Sequence, residues 1–329
     1  MNWLKRVAPG LALCTAGAVL AVLGNRLVPT VSALLFAIIL GAVVANLVEL
    51  PQRFLPGIGF AAKRVLRTGI VLLGLQLVLG DILALGWGMI AVVVAVVVIG
   101  IFGTLLIGRA LRIPTATRLL VACGFSICGA AAIAAADGVI DAEQEETATA
   151  IGLVVLFGTL MIPIVPLLAG LLGMPSRVAG LWAGASIHEV AQVVAAAGTI
   201  GHGALQGAVI VKLARVLMLA PVMAVLAWQV RRRMPADTQM KRPPIVPLFV
   251  VGFLAMMVVA SLHLLSKPVL ADLKLVQTAL LAAAMFALGL GVRMRTLVRV
   301  GPLPFVLGLA STVLVSCVSL AGVWATSWR

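Results

Sequence analysis

Long apolar runs occupy almost the whole chain, and short clusters of charged residues, proline and glycine separate them. About 20 apolar residues in a helix cross the hydrocarbon core of a bilayer, so runs of this length predict transmembrane helices. Eleven spans are predicted, with approximate limits 8–25, 30–48, 66–83, 87–107, 117–137, 147–172, 177–199, 204–230, 245–265, 275–292 and 301–325. The pattern therefore predicts an all-α polytopic membrane protein.

Composition agrees with this fold class. The chain is 63% hydrophobic and 10% charged, whereas a soluble domain is nearer half apolar and about a quarter charged. A net charge of +14 in a soluble protein would suggest a nucleic-acid partner. In a membrane protein it indicates basic loops that set the topology, so we predict a lipid bilayer environment and no nucleic-acid partner.

Basic residues alternate between rich and poor connections along the predicted spans. The poor connections hold only Arg26, Lys267, Lys274 and Arg329. The rich ones hold Lys5, Arg6, Arg53, Lys63, Arg64, Arg67, Arg109, Arg112, Arg118, Arg177, Arg231, Arg232, Arg233, Lys241, Arg242, Arg293, Arg295 and Arg299. The positive-inside rule then predicts a cytoplasmic N-terminus and an external C-terminus. The acidic stretch 137–146 is predicted on the outer side.

The span count suggests an internal repeat within a single integral membrane domain. Eleven spans divide into one extra helix at 1–29 and two five-helix repeats at 30–175 and 176–329. A repeat with an odd number of spans must be inverted, which is a common plan among secondary transporters.

A polar stretch interrupts the apolar run 178–200. It contains Ser186, His188, Glu189 and Gln192, which at helical spacing share one polar sector. Ionisable groups are costly in hydrocarbon and mark substrate or proton pathways. We therefore predict His188 and Glu189 as proton-coupling residues, and Ser186 and Gln192 as substrate-binding residues.

Two cations follow within the next apolar run. Lys212 and Arg215 are three residues apart, so they share a helix face. The functional interpretation is that they bind an anionic substrate. The structural alternative is an ion pair between Glu189 and one of these cations that ties two helices together, and a carboxylate paired in the empty site can also yield to substrate.

Enzymatic and metal chemistry are disfavoured by the same residues. The segment from His188 to Gln192 nearly matches the zinc-protease pattern H-E-x-x-H, but Gln192 stands where the second histidine is needed. Catalytic zinc requires about three protein ligands. We therefore predict no metal site and no enzyme activity, and the absence of a P-loop motif predicts no nucleotide cofactor.

Small residues mark the centre of the fifth span. Gly124 and Gly129 flank Phe125-Ser126-Ile127-Cys128. Glycines here can break the helix and expose backbone N–H groups to an anion, or they can allow close helix packing. The sequence favours neither alternative. In either case Gly124, Ser126 and Gly129 are candidate substrate-binding residues.

Several separated motifs resemble one bacterial family. These are Arg67-Thr68-Gly69-Ile70-Val71-Leu72-Leu73-Gly74, Cys123-Gly124-Phe125-Ser126-Ile127-Cys128-Gly129-Ala130, Glu143 with Glu145 and Glu146, Ser186-Ile187-His188-Glu189-Val190-Ala191-Gln192, and Val211-Lys212-Leu213-Ala214-Arg215. Over nearly the whole chain they resemble the YeiH-like family, usually labelled sulfate exporters and related to cation/proton antiporters and bile-acid symporters. The resemblance implies two inverted five-helix repeats, a panel domain, elevator motion, and a core with crossing interrupted helices at spans five and ten.

The predicted function is secondary active transport of a small anion, with sulfate or an organosulfonate as candidates, coupled to protons or another ion. Three alternatives remain open at this point. These are an anion channel, a cation/proton antiporter using Glu189 and Asp137, and an intramembrane enzyme. The predicted partners are the anion, the coupling ion and lipid, and a homodimer is one option for the oligomeric state.

Overall fold

The computed structural model describes residues 3–28, 33–233, 248–291 and 301–327, and helices account for most of them. The α-helices are α1 Trp3–Leu27, α2 Ala33–Leu47, α3 Leu55–Phe60, α4 Leu66–Leu73, α5 Leu79–Ala84, α6 Trp87–Ala110, α7 Thr115–Ser126, α8 Ala130–Ile140, α9 Gln144–Leu171, α10 Ser176–Ser186, α11 Val190–Ile200, α12 His202–Leu217, α13 Leu219–Arg233, α14 Leu248–Ser261, α15 Lys267–Gly289 and α16 Leu303–Ser327. Short 3₁₀ segments lie at Gln52–Phe54 and Gly74–Gln76, and a π-helical turn at Ala61–Val65 joins α3 to α4.

Length and composition mark six membrane-crossing helices among the described residues. They are α1, α6, α9, the segment formed by α12 and α13, α15 and α16. Shorter apolar helices accompany them, including the α2, α8 and α14 segments. These helices confirm the all-α polytopic membrane class predicted from the apolar runs. Helices suit a bilayer because their backbone hydrogen bonds are formed within each helix.

One compact unit comprises residues 1–76 and 252–300. In it α15 packs against α1, α2 and α4. Gly41 and Gly289 allow α2 and α15 to approach backbone to backbone, because a Cβ atom on either glycine would overlap the facing helix. The side chains of Gln76 and Gln277 are hydrogen-bonded to each other within this unit.

The interruption of span ten stays a prediction, because the end of this span and the chain that follows it, residues 292–300, lie outside the described residues. Helix α15 runs from Lys267 to Gly289 without a break. The alanines and glycines of this segment serve close packing, since Ala282, Ala284 and Gly289 are buried within the unit.

The second unit comprises residues 77–251 and 301–329. Its long helices α6 and α16 pack antiparallel, with Gly88 beside Thr326 and Gly103 beside Leu314. Helix α9 contacts α7, α8, α10, α11 and α16. At 28 residues it is about 42 Å long, which exceeds the hydrocarbon thickness of a bilayer.

Helices α7 and α8 form a hairpin, here called the first hairpin, instead of one crossing span. Its tip is Ile127–Gly129, after which the chain turns back, so that Gly124 of α7 contacts Ile133 of α8. The Thr117 hydroxyl near the start of α7 donates to Glu146 in the first turn of α9 at 3.0 Å. The end of α8 therefore lies near the start of α7, beside the N-terminal end of α9.

Helices α10 and α11 form the second hairpin, whose tip is Ile187–Glu189. The following helix, α12, runs beside α10 in the same direction, with Ala204 against Gly180 and Ala208 against Gly184. Since α10 begins shortly after α9 ends, the two hairpins enter from opposite ends of α9 and meet near its middle.

The prediction that spans five and seven cross the membrane is thus replaced by two half-length hairpins. The physical reason lies in the tips, where three residues leave the helical ladder and the backbone reverses. Gly129 has φ +78° and ψ −138°, a conformation that favours glycine. Apolar content and length do not distinguish a span of this kind from two short helices of the same composition.

Candidate functional site

The hairpin tips meet around two fully buried cations of α12. Helices α7 and α10 both end at a serine beside the tips, and their last carbonyl groups are left without partners inside their own helices. Each such helix end carries about half a negative charge. Cationic donors placed here satisfy the carbonyl oxygens and balance this partial charge.

Lys212 bridges the two hairpin tips. Its Nζ atom donates to the Ile187 carbonyl oxygen at 2.8 Å and to the Ile127 carbonyl oxygen at 3.0 Å. The side chain is completely buried. One ammonium group therefore binds the backbone of both tips.

Arg215 lies one turn further along α12, and its guanidinium group donates to the ends of both α7 and α10. Nε and Nη2 donate to the Ser126 carbonyl at 3.1 and 2.8 Å, and Nη2 also donates to the Phe125 carbonyl at 2.9 Å. Nη1 donates to the Ala185 and Ile187 carbonyls at 2.7 and 3.0 Å. A guanidinium has five N–H donors in a fixed fork, which suits this cluster of acceptors.

Glu189 contacts the other two helix ends at the tips, where α8 and α11 begin. Its Oε1 accepts a hydrogen bond from the Ala130 backbone N–H at 3.0 Å. The same side chain accepts from the Gln192 backbone N–H, while the Gln192 side chain accepts from the Glu189 N–H at 3.1 Å, forming a capping box. A carboxylate at two helix N-termini is favoured by both helix dipoles.

His188 links the second tip to the first hairpin and to α16. Its Nδ1 lies 3.3 Å from the Phe125 carbonyl oxygen and its Nε2 lies 3.1 Å from the Thr312 hydroxyl. The imidazole also stacks obliquely on the Phe125 ring at 4.5 Å between centroids. A carbonyl can only accept, so the Nδ1 contact requires the proton on Nδ1.

The remaining predicted residues have local roles in the tips. Ser186 donates to the Trp182 carbonyl at 2.7 Å within its own helix. The Ser126 hydroxyl is buried and has no hydrogen-bond partner within the part of the chain that the structure describes. Gly124 packs on Ile133, and a Cβ atom on Gly129 would overlap the Glu189 side chain.

These positions revise two details of the sequence interpretation. Ser186, Glu189 and Gln192 do not share one helical face, because α10 ends at Ser186 and Gln192 belongs to α11. The structural alternative of an ion pair is replaced by hydrogen bonds to the backbone, since both cations donate to carbonyl groups and Glu189 accepts from N–H groups. The shared face of Lys212 and Arg215 on one helix is confirmed.

Sequence reasoning missed Thr312 and the carbonyl acceptors. Thr312 lies beside Ser311 in α16, and because this helix also contains Ser316, Ser319, Thr326 and Ser327, its hydroxyl group gives little signal of its own. The carbonyl groups of Phe125, Ile127 and Ile187 carry no side-chain signature. They become visible only when the tips are placed next to α12.

Comparison with known proteins adds a family context to this geometry. A family profile described as "Conserved hypothetical protein 698" matches residues 9–308. A UPF0324 membrane protein of Corynebacterium glutamicum is 53% identical over 323 residues, which is 98% of this chain and 94% of that protein. UPF0324 membrane proteins of Brucella melitensis and Bacteroides thetaiotaomicron are each 36% identical, over 96% and 84% of this chain and 90% and 85% of the respective proteins.

Proposed function

Because the chain belongs to the UPF0324 membrane protein family, and buried charges meet two hairpin tips among its apolar helices, we propose that it is a secondary active transporter of a small anion. The observation that carries the proposal is the pair of half-length hairpins that enter from opposite ends of α9. Non-helical backbone at membrane depth is tolerated where it is enclosed by protein or lines a cavity. Secondary transporters commonly place their substrate and ion sites at such helix breaks.

The charge balance at the tips favours an anion as substrate. Lys212 and Arg215 bring two buried positive charges, and Glu189 brings one negative charge. The helix ends cancel one another, because the C-termini of α7 and α10 contribute about half a negative charge each and the N-termini of α8 and α11 about half a positive charge each. An excess of one positive charge remains, and buried net charge favours a compensating ion.

In this proposal the anion binds at the N-terminal ends of α8 and α11, where Glu189 now accepts hydrogen bonds. Backbone N–H groups near Gly129 and the Gln192 side chain would coordinate it, with Ser126, Ser186 and Gly124 shaping the tips. Lys212 and Arg215 would supply charge through the carbonyl-bound tips. Helix N-termini suit sulfate or an organosulfonate, because the backbone N–H groups donate to an anion and the helix dipole favours its negative charge.

Proton coupling is assigned to Glu189, with His188 as its neighbour. A proton on the carboxyl group would remove the negative charge that competes with substrate for the same N–H groups. Substrate entry and protonation of Glu189 would then favour each other. Asp137 is a poorer candidate, because it lies seven residues beyond Ala130 in α8, a rise of about 10 Å from the Glu189 contact.

The proposed setting is the bacterial inner membrane, with the N-terminus in the cytoplasm and the C-terminus outside. Replacing spans five and seven by hairpins removes two membrane crossings. Because this number is even, the predicted sides of the N-terminus and the C-terminus do not change. The acidic stretch 137–146 then moves to the cytoplasmic side, and Arg177 becomes the one basic loop residue that changes to the outer side. A homodimer stays a prediction.

The test begins with thermal unfolding of the purified protein against a panel of sulfate, sulfonates, carboxylates and phosphate. A transported anion that binds the native state should raise the unfolding temperature. Flux of that anion into proteoliposomes is then measured with and without an imposed proton gradient. Flux that follows the gradient supports the proposal, whereas conduction unaffected by it identifies an anion channel.

A variant pair assigns the coupling group. Glu189→Gln should flatten the pH profile of flux, because the amide cannot exchange a proton at this position. Glu145→Gln is the matched control, since Glu145 is an exposed carboxylate in the first turn of α9. An unchanged pH profile for Glu189→Gln would exclude Glu189 as the coupling group.

A further inference from the structure

The ammonium group of Lys212 lies in a setting built for a cation. Its two hydrogen-bond acceptors are backbone carbonyl oxygens, one from each hairpin tip, at 2.8 and 3.0 Å. Among the described residues no carboxylate contacts this nitrogen through a hydrogen bond. The tips thus offer oxygen ligands without a formal negative charge.

Carbonyl oxygens at the C-terminal ends of broken helices are the ligands with which membrane transporters hold monovalent cations. Two such ends, from α7 and α10, point toward Lys212, and their dipoles add negative potential at this place. An ammonium group is a compact point charge. In this respect it resembles a monovalent cation that has lost its hydration shell. Lys212 therefore delivers, on a flexible four-carbon stem, the charge that such an ion would bring.

Arg215 also holds the helix ends, and it shares the Ile187 carbonyl with Lys212, because its Nη1 atom donates to this carbonyl at 3.0 Å. It binds the neighbouring carbonyls of Phe125, Ser126 and Ala185 from its own position on α12. Shortening Lys212 would therefore remove one cation while a second one still holds the helix ends together. The Ile127 carbonyl would then lose its donor and face a space of the size of the lost side chain, beside the Ile187 carbonyl, which keeps its hydrogen bond from Arg215.

We propose that Lys212 is a resident cation, whose ammonium group occupies a monovalent-cation site formed by the carbonyl groups of both hairpin tips. A free ammonium or potassium ion is the chemical class that this site would take if the side chain were removed. The protein accordingly needs no alkali ion at the tips. This inference rests on the proposed function only where it concerns coupling, which would then proceed without sodium or potassium at this site.

The experiment is a chemical rescue of Lys212→Ala. The purified variant is unfolded thermally in ammonium chloride, potassium chloride, sodium chloride and choline chloride at equal concentration, so that the anion is constant. We expect the variant to unfold at a lower temperature than the unmodified protein in choline chloride. Ammonium should restore about 2 °C or more in a saturable manner, because a ligand of the native state stabilises by mass action.

Two further variants control this result. Lys212→Met keeps most of the length of the side chain and removes the charge, so it should be destabilised and show no ion-specific recovery, because its thioether fills most of the space. Lys274→Ala removes an exposed lysine of α15 and should show no difference among the four salts beyond that of the unmodified protein. Equal responses of Lys212→Ala and Lys212→Met to ammonium would overturn the proposal.

Loss of folding is also informative, because Lys212→Ala can be solubilised in parallel in ammonium chloride and choline chloride. Monodisperse protein obtained in ammonium alone supports the site, and equal loss in both salts overturns it. The result is independent of transport. If ammonium rescues Lys212→Ala but the unmodified protein shows no anion flux, only the proposed function is contradicted. If the unmodified protein shows anion flux but no ion rescues Lys212→Ala, only the resident cation is contradicted.

Discussion

The Glu189 carboxylate oxygen Oε1 accepts a hydrogen bond from the Ala130 backbone N–H at 3.0 Å, and this bond joins the second hairpin to the first. The same carboxylate caps its own helix α11. One side chain therefore satisfies orphan N–H groups at the start of two helices in different hairpins. The opposite helix ends, those of α7 and α10, are held by Lys212 and Arg215.

Removal of the Glu189 carboxylate should destabilise the protein. Glu189→Ala leaves donors at the starts of α8 and α11 without their acceptor, and loss of one helix cap costs about 1–2 kcal/mol. Glu189→Gln retains an acceptor oxygen and should lose less. Thermal unfolding in detergent measures both, with Glu143→Ala as control, because Glu143 is exposed and forms a capping box at the start of α9 only. A loss for Glu189→Ala no larger than for Glu143→Ala would contradict the double cap.

Arg215 should prove essential for stability rather than for substrate binding alone. Arg215→Lys keeps the charge but has three donors and a single nitrogen, so carbonyls of Phe125, Ser126 or Ala185 remain without partners. Each buried polar group left unpaired costs about 1–3 kcal/mol. We expect a large drop in unfolding temperature for Arg215→Lys and none for Arg177→Lys, an exposed arginine at the start of α10. Normal stability of Arg215→Lys would refute the role of the fork geometry.

Part of this arrangement could be predicted from the amino-acid sequence. The apolar runs indicate the membrane class, because hydrocarbon imposes long apolar helices on any chain that crosses it. The intramembrane location of Glu189, Lys212 and Arg215 also indicates a polar centre, because buried charge is expensive. Their burial in one unit agrees with that expectation.

The partners of those charges could not be predicted in the same way. A carbonyl acceptor belongs to every residue, so the pattern of residue types does not indicate that Lys212 binds Ile127 and Ile187. The reversal at the tips was equally hidden, since alternation of basic loops is almost unchanged when two crossings are removed. Only Arg177 changes sides, and a single arginine cannot decide a topology.

Gly129 should tolerate substitution poorly for two separate reasons. Its φ of +78° is unfavourable for residues with a side chain, and a new Cβ would overlap Glu189, whose Oε1 would be 2.8 Å away. A non-glycine residue in such a backbone region costs about 1–3 kcal/mol. Gly173 separates the two effects, because it also has positive φ, +63°, with open space around its Cβ position.

The measurement is the unfolding temperature of Gly129→Ala and Gly173→Ala. We expect the loss for Gly129→Ala to exceed that for Gly173→Ala, because only the first displaces the Glu189 carboxylate. The double variant Gly129→Ala with Glu189→Ala should lose less than the sum of both single changes, since Glu189→Ala removes the side-chain atoms that the new Cβ would overlap. Strict additivity would show that Glu189 does not limit residue 129.

The hairpin topology predicts a disulfide that a membrane-crossing span five forbids. Thr117 lies near the start of α7 and Glu146 in the first turn of α9. The Thr117 Oγ1 and Glu146 Oε1 atoms are 3.0 Å apart. If span five crossed the membrane, these residues would lie on opposite sides of hydrocarbon about 30 Å thick. Thr117→Cys with Glu146→Cys, in a background without the native cysteines, should therefore cross-link on mild oxidation.

The control pair is Thr117→Cys with Ser176→Cys. Ser176 begins α10 at the other end of α9, so this pair should remain reduced under the same conditions. An impermeant maleimide applied to intact cells should likewise label residue 176 and spare residue 146. Cross-linking of the control pair in place of the hairpin pair would restore the crossing helix, because the atoms of a disulfide need Cα atoms within about 7 Å.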